Sequence, residues 1–161
     1  NEGEIHKYFF TGVFGSIYPE ANLEKVLNDL LISAKDTHKK LVFISFGRIG
    51  ITGIEKIERL SKHFIDKIQF LNYGELDPIG ISTLMQILDN GISCTPRQHL
   101  GKSGVFTAMK LHGLSVLMSS TEIIPEYEVE LEKEFPLFIN RPSEMWGVEY
   151  IANNFMIFLN K

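Results

Sequence analysis

The sequence predicts an α/β domain built on a doubly wound parallel sheet, with helices on both faces in three layers. Two observations predict it. Short apolar runs with few polar interruptions, "KLVFISFG" (40–47) above all, suit strands buried on both sides. They alternate with segments of helical period about ten to fifteen residues long, the order that βαβ units with right-handed crossovers produce.

The elements follow in order. "YFFTGVFG" from Tyr8 is an apolar run ended by glycine and reads as the first strand. In "ANLEKVLNDLLISAK", Leu23, Val26, Leu27, Leu30, Leu31 and Ala34 fall on one stripe, which predicts a helix. The second strand is 40–47. In "ITGIEKIERLSKHF", Thr52 and Glu55 have capping-box spacing, and Ile54, Ile57, Leu60 and Phe64 recur at helical intervals. "KIQFLNYG" (67–74) is the third strand. "DPIGISTLMQILDN" (77–90) is a helix with Asp77 as its N-cap and Pro78 in its first turn.

"GISCTP" (91–96) is then the fourth strand, "KSGVFTAMKLHG" (102–113) a helix stopped at Gly113, and "LSVLM" (114–118) the fifth strand. Six glutamates against one lysine between 122 and 134 predict a solvated acidic loop or short helix. "FPLFIN" (135–140) is expected as a strand and 141–161 as a terminal helix begun by Pro142.

Composition narrows the function. A chain of 161 residues, 44% hydrophobic and without linker or repeat, predicts one domain over 1–161. A net charge of −4 argues against nucleic acid as a partner, because phosphate-backbone binding needs a clustered excess of Lys and Arg. The single cysteine, Cys94, permits no internal disulfide, and no run approaches the roughly 18 to 20 apolar residues of a membrane span. A cytoplasmic setting is the expectation. The absence of an initiator Met fits a fragment of a longer protein, whose own association with membrane is left open.

In an open parallel sheet, ligands bind beyond the carboxyl ends of the strands, where helix N-termini offer free N–H groups and positive dipole ends. Three turns meet that condition. "RQHLGKSG" (97–104) precedes a helix, so Gly101, Ser103, Gly104 and their neighbours face an anion there, with Lys102 and Arg97 supplying charge. It is no Walker loop, since Pro96 stands where the leading glycine belongs. Without a ligand the same residues form a tight turn with Ser103 as a helix cap. Gly12 and Gly15 follow the first strand, and "NYGELDP" places Gly74 and Glu75 after the third, where a planar base and its ribose would fit. The histidines at 6, 38, 63, 99 and 112 lack metal-ligand spacing, and no Gly-x-Ser-x-Gly elbow is present.

"GISCTPRQHLGKSGVFTAMKLHGLSVL" resembles the nucleotide-sugar-binding segment in the C-terminal domain of GT-B-fold glycosyltransferases of the group 1 type. The family reads strand, glycine turn, a helix of the form "EAMAxGxPV", then strand; "TAMKLHGLSV" matches through Met109, Gly113 and Val116. The likeness extends outward through "FFTGVFGSIYPEANLEKVLNDL", "LVFISFG" and "IQFLNYGEL". It implies a Rossmann-like domain, one half of a GT-B enzyme, that binds a nucleoside-diphosphate sugar for transfer to an acceptor held by an N-terminal domain.

By that resemblance Gly12, Gly15, Arg97, Gly101, Lys102, Ser103 and Gly104 would hold the donor diphosphate, and Gly74 and Glu75 the nucleobase. His99 and Thr107 stand where the family carries two glutamates that contact sugar and ribose, so the sugar is not readable. The family's Arg and Lys after the first strand are missing, and Arg48, Arg97 and Lys102 are the replacements in reach. No cofactor or metal is expected, and no catalytic residue is assigned. Two other readings remain: a nucleotide-sugar epimerase of similar fold, and a non-catalytic flavodoxin-like binding module.

Overall fold

The computed structural model describes residues 6–119. The acidic segment, the strand expected at 135–140 and the helix expected at 141–161 lie outside the described residues. Five strands, β1 (Tyr8–Phe14), β2 (Lys40–Phe46), β3 (Ile68–Gly74), β4 (Asn90–Ser93) and β5 (Ser115–Met118), form one sheet in the order β3-β2-β1-β4-β5. Every pairing is parallel. The strands are joined through α1 (Leu23–Asp36), α2 (Ile51–His63), α3 (Pro78–Ile87) and α4 (Gly104–Leu111), with a 3-10 turn at Arg97–Lys102 ahead of α4.

The sheet is covered on both faces, as the alternation of elements predicts. Leu23, Leu27 and Leu30 of α1 and Ile57 and Leu60 of α2 bury against Val13, Leu41, Phe43 and Ile92. On the other face, Leu84 and Met85 of α3 and Met109 of α4 bury against Val42, Ile44 and Phe46. Alternate residues of β2 enter opposite cores, because successive side chains of a strand point to opposite sides. That is why "LVFISF" is apolar at every position but Ser45, whose buried hydroxyl donates to Leu71 O. Each large side chain so buried contributes about 1.5–3 kcal/mol relative to exposure.

Two glycines let the α3/α4 layer approach. Gly12 of β1 and Gly91 of β4 are register partners. A β-carbon on Gly12 would lie 2.7 Å from Leu88 Cδ1, and one on Gly91 2.7 Å from Met109 Sδ. Leu88 and Met109 therefore rest on bare backbone at the centre of the sheet.

Element ends differ from the sequence reading where side chains found better partners. The capping box at Thr52 and Glu55 does not form. Helix α2 begins at Ile51 after Gly50, which makes no side-chain cap, so Thr52 already sits inside the first turn. Helix α3 keeps Asp77 as its N-cap, accepting from Gly80 N at 2.7 Å, but stops at Ile87 rather than at 90. Asp89 Oδ2 accepts the Phe10 N–H at 2.7 Å, and Asn90 Oδ1 accepts from buried Thr11 Oγ1 at 2.5 Å. Those bonds draw 89–90 into the sheet, so β4 spans Asn90–Ser93 and not 91–96. Helix α4 begins at Gly104, not at 102, because 97–102 coil into the tighter 3-10 turn.

Candidate functional site

After β1 the chain builds outward through β2 to β3, then returns to the other side of β1 to form β4. The carboxyl ends of β1 and β4 are therefore a switch point, where the two following segments diverge and leave a crevice. Gly15 closes β1. Its N–H donates to Phe46 O at 3.0 Å, and its φ of +76° is a left-handed conformation that glycine tolerates. A β-carbon there would come within 3.0 Å of Val105 Cγ2, so the end of β1 abuts the first turn of α4.

The far wall is the segment 94–107. Thr95 N–H donates to Ser93 Oγ at 3.3 Å, and Thr95 Oγ1 lies 2.9 Å from Ser103 Oγ. Ser103 in turn accepts the Phe106 N–H at 3.2 Å, capping α4. The N–H groups of Gly104 and Val105 find no acceptor among the described residues. They are the uncapped donors of the helix start, at the positive end of its dipole. Lys102, exposed, ends the 3-10 turn immediately before them, and Arg97 begins that turn.

Of the residues singled out from sequence, Gly15 ends β1 against Val105 of α4, while Arg97, Gly101, Lys102, Ser103 and Gly104 follow one another along the 3-10 turn and into the start of α4. His99 is exposed on the 3-10 turn, its N–H bonded to Pro96 O at 2.9 Å, while half-buried Thr107 sits inside α4 with its N–H on Ser103 O at 3.0 Å. Gly12 is not brought to the mouth. It lies buried within β1 beneath Leu88, a packing position rather than a loop position. Gly74 ends β3 and Glu75 follows it, across β2 from the crevice. Gly74 O accepts from Gly47 N at 2.6 Å, and Glu75 Oε2 lies 3.4 Å from Arg48 Nη2 in an exposed ion pair.

Known proteins add little to this geometry. No family model matches the chain. Over 73 residues it is 30% identical to a UPF0231 protein from Vibrio campbellii, a match covering 45% of this chain and 59% of that relative. The chain aligns with a solved structure, the catalytic domain of starch synthase IV from Arabidopsis thaliana bound to ADP and acarbose, with a TM-score of 0.38 and 10% identity. That alignment covers 87% of this chain and 33% of that one. The chain thus spans less than two thirds of either protein. The fold itself is an all-parallel α/β sheet of Rossmann-like type.

Several residues around the mouth were not legible in the sequence. Lys56 of α2 donates to Tyr18 O at 3.2 Å, Pro19 O at 2.7 Å and Ala21 O at 2.9 Å, pinning the β1–α1 loop. It also lines a cleft of about 400 Å³ between α2 and the start of α1, with Arg59, Glu20 and Glu24. Ser119 ties the end of β5 into the same region, donating its N–H to Ser93 O at 3.0 Å and accepting from Asn22 N at 2.7 Å. Three carbonyls meeting one ammonium leave no sequence signature.

Cys94 follows β4 and is 5% exposed. Burial pushes its thiol up to about 11, against the opposing effects of a Ser119 hydrogen bond and the Lys56 charge. Such a thiol is protonated and inert at neutral pH. Among the described residues no group of three His, Cys, Asp or Glu is placed to hold a metal ion, and no helix is long and apolar enough to cross a membrane.

Proposed function

We propose that this domain binds a nucleoside-diphosphate sugar and is the donor-binding half of a glycosyltransferase. The observation that carries the reading is the start of α4, set against Gly15 at the switch point with Lys102 beside it. Two amides without an acceptor among the described residues and the helix dipole meet there, with the exposed Lys102 two residues ahead of Gly104, an arrangement that favours a phosphate group. The sequence resemblance through "GKSGVFTAMKLHGLSV" supplies the rest of the inference.

In this reading the diphosphate lies over Ser103, Gly104 and Val105, with Lys102 and Arg97 neutralising its oxygens. The sugar lies toward His99 and Thr107. The base extends across the end of β2 toward Gly74 and Glu75. As the glycosidic bond to the diphosphate breaks, negative charge grows on the leaving group, and fixed donors stabilise that charge more than the ground state. No metal is required for this role. The acceptor and the remaining catalytic groups come from an N-terminal domain.

Isothermal titration tests the reading. The domain is expected to bind at least one common nucleoside diphosphate, and Lys102→Ala to weaken binding about tenfold, the loss of one charge-assisted hydrogen bond. Undetectable binding of every common nucleoside diphosphate at millimolar concentration overturns it.

A further inference from the structure

Ser82 of α3 meets His112, the residue that ends α4, at the opposite end of that helix from Gly104. Ser82 Oγ lies 2.8 Å from His112 Nε2, and His112 Nδ1 lies 2.8 Å from Ala108 O. A carbonyl only accepts, so in the neutral ring Nδ1 carries the hydrogen and Nε2 is left to accept the Ser82 O–H. Thr83, the next residue, donates its hydroxyl to Ile79 O at 2.9 Å, the local bond that a hydroxyl inside a helix commonly makes. Ser82 turns to a base instead.

The pair has the three parts of an activated nucleophile: a hydroxyl, a base within hydrogen-bond reach, and a group that orients the base. The orienting group is the Ala108 carbonyl, fixed by the helix that carries it. Both residues are half-buried, so neither is sealed in the core. Gln86, exposed one turn after Ser82, donates from Nε2 to Ser82 Oγ at 3.4 Å and sets an amide N–H beside the reacting oxygen. Ile79, one turn before Ser82 on the same stripe of α3 and 77% exposed, offers an apolar surface next to it.

We propose that Ser82 is a nucleophile toward small activated carboxylic esters, with His112 as its general base. Nε2 takes the Oγ proton as Oγ bonds to the ester carbonyl carbon, and the Gln86 amide donates to the oxygen on which negative charge collects. The intermediate then expels the alcohol or phenol oxygen, which takes the proton from the imidazolium, and Ser82 is left acylated. Water, giving a proton to Nε2, attacks the acyl carbon; the acid departs and the Ser82 oxygen regains its hydrogen. The inference is independent of the nucleotide reading.

The probe is p-nitrophenyl acetate. The 161-residue chain is expected to release p-nitrophenolate, and mass spectrometry of peptides from the quenched reaction to find acetyl on Ser82. Ser82→Ala is expected to lower release at least tenfold. His112→Gln, which cannot act as the base, should slow acetylation of Ser82 about a hundredfold or more. Gln86→Leu, at an exposed position that leaves the fold intact by circular dichroism, should slow it about tenfold, and so decides the matter even where His112→Gln unfolds the chain. Acetyl found only on lysines or the N-terminus overturns the proposal. So does release that Ser82→Ala leaves unchanged, which would make the Ser82–His112 bond a tether between α3 and α4 and nothing more.

Discussion

The Thr95 hydroxyl lies 2.9 Å from Ser103 Oγ, joining the loop that leaves β4 to the cap of α4. Ser103 also accepts the Phe106 N–H, so one side chain both closes the crevice wall and starts the helix that presents Gly104 and Val105. Ser103→Ala is expected to destabilise the fold by about 1 kcal/mol, the usual cost of an N-cap. Urea denaturation measures that loss. Ser103→Asn, which can still cap, should recover most of it, and a full loss in both variants would show that the Thr95 contact dominates.

Gly15→Val combines two penalties. The φ of +76° disfavours a β-branched residue, and the added atoms collide with Val105. A cost of about 2 kcal/mol or more is expected. Gly50→Ala is the control, with a similar φ of +80° but nothing within 4 Å of its β-carbon. The difference between their denaturation midpoints reports the contact between β1 and α4.

Lys56→Met keeps the aliphatic stem and removes an ammonium that serves three carbonyls. Stability is expected to fall by about 1–3 kcal/mol, the range for hydrogen bonds to charged groups. Hydrogen exchange should rise selectively in the loop from Ser16 to Asn22. Uniform acceleration across the sheet would mean that Lys56 supports the whole core instead.

Cys94 gives a pH dependence with a definite sign. The thiol ionises at its ordinary value of 9.0 in the unfolded chain and at about 11 in the fold. Between those values the unfolded chain has lost a proton that the fold retains, so stability is complete below pH 9 and falls as pH rises toward 11. Comparing wild type with Cys94→Ala across this window isolates the effect, because other titrations are common to both. A difference that stays constant with pH would refute it. Iodoacetamide at pH 8 should label Cys94 only after unfolding.

The layered fold was legible because burial on both faces writes itself into composition. "LVFISF" has no polar face to give up, and the stripe from Leu23 to Ala34 has one face only. The ends were less legible. Asp89 and Asn90 look like helix residues until Phe10 N–H and Thr11 Oγ1, some eighty positions earlier in the chain, compete for them. Gly12 and Gly15 look equivalent as a spaced pair, yet one packs under Leu88 and the other turns the chain at the crevice. The anion site proposed around Lys102 and Ser103 rests on residue types visible in the sequence, whereas the Lys56 contacts depend on three carbonyls and carry no local pattern.

Gly12 and Gly91, neighbours across the centre of the sheet, have a consequence for how this domain can change. Leu88 and Met109 occupy the volume that a β-carbon on either glycine would claim. Enlarging a glycine alone creates a collision, and trimming its lid alone opens a void. Substitutions at these four positions are tolerated only in concert, so a set of related sequences should show Gly12 varying with Leu88, and Gly91 with Met109.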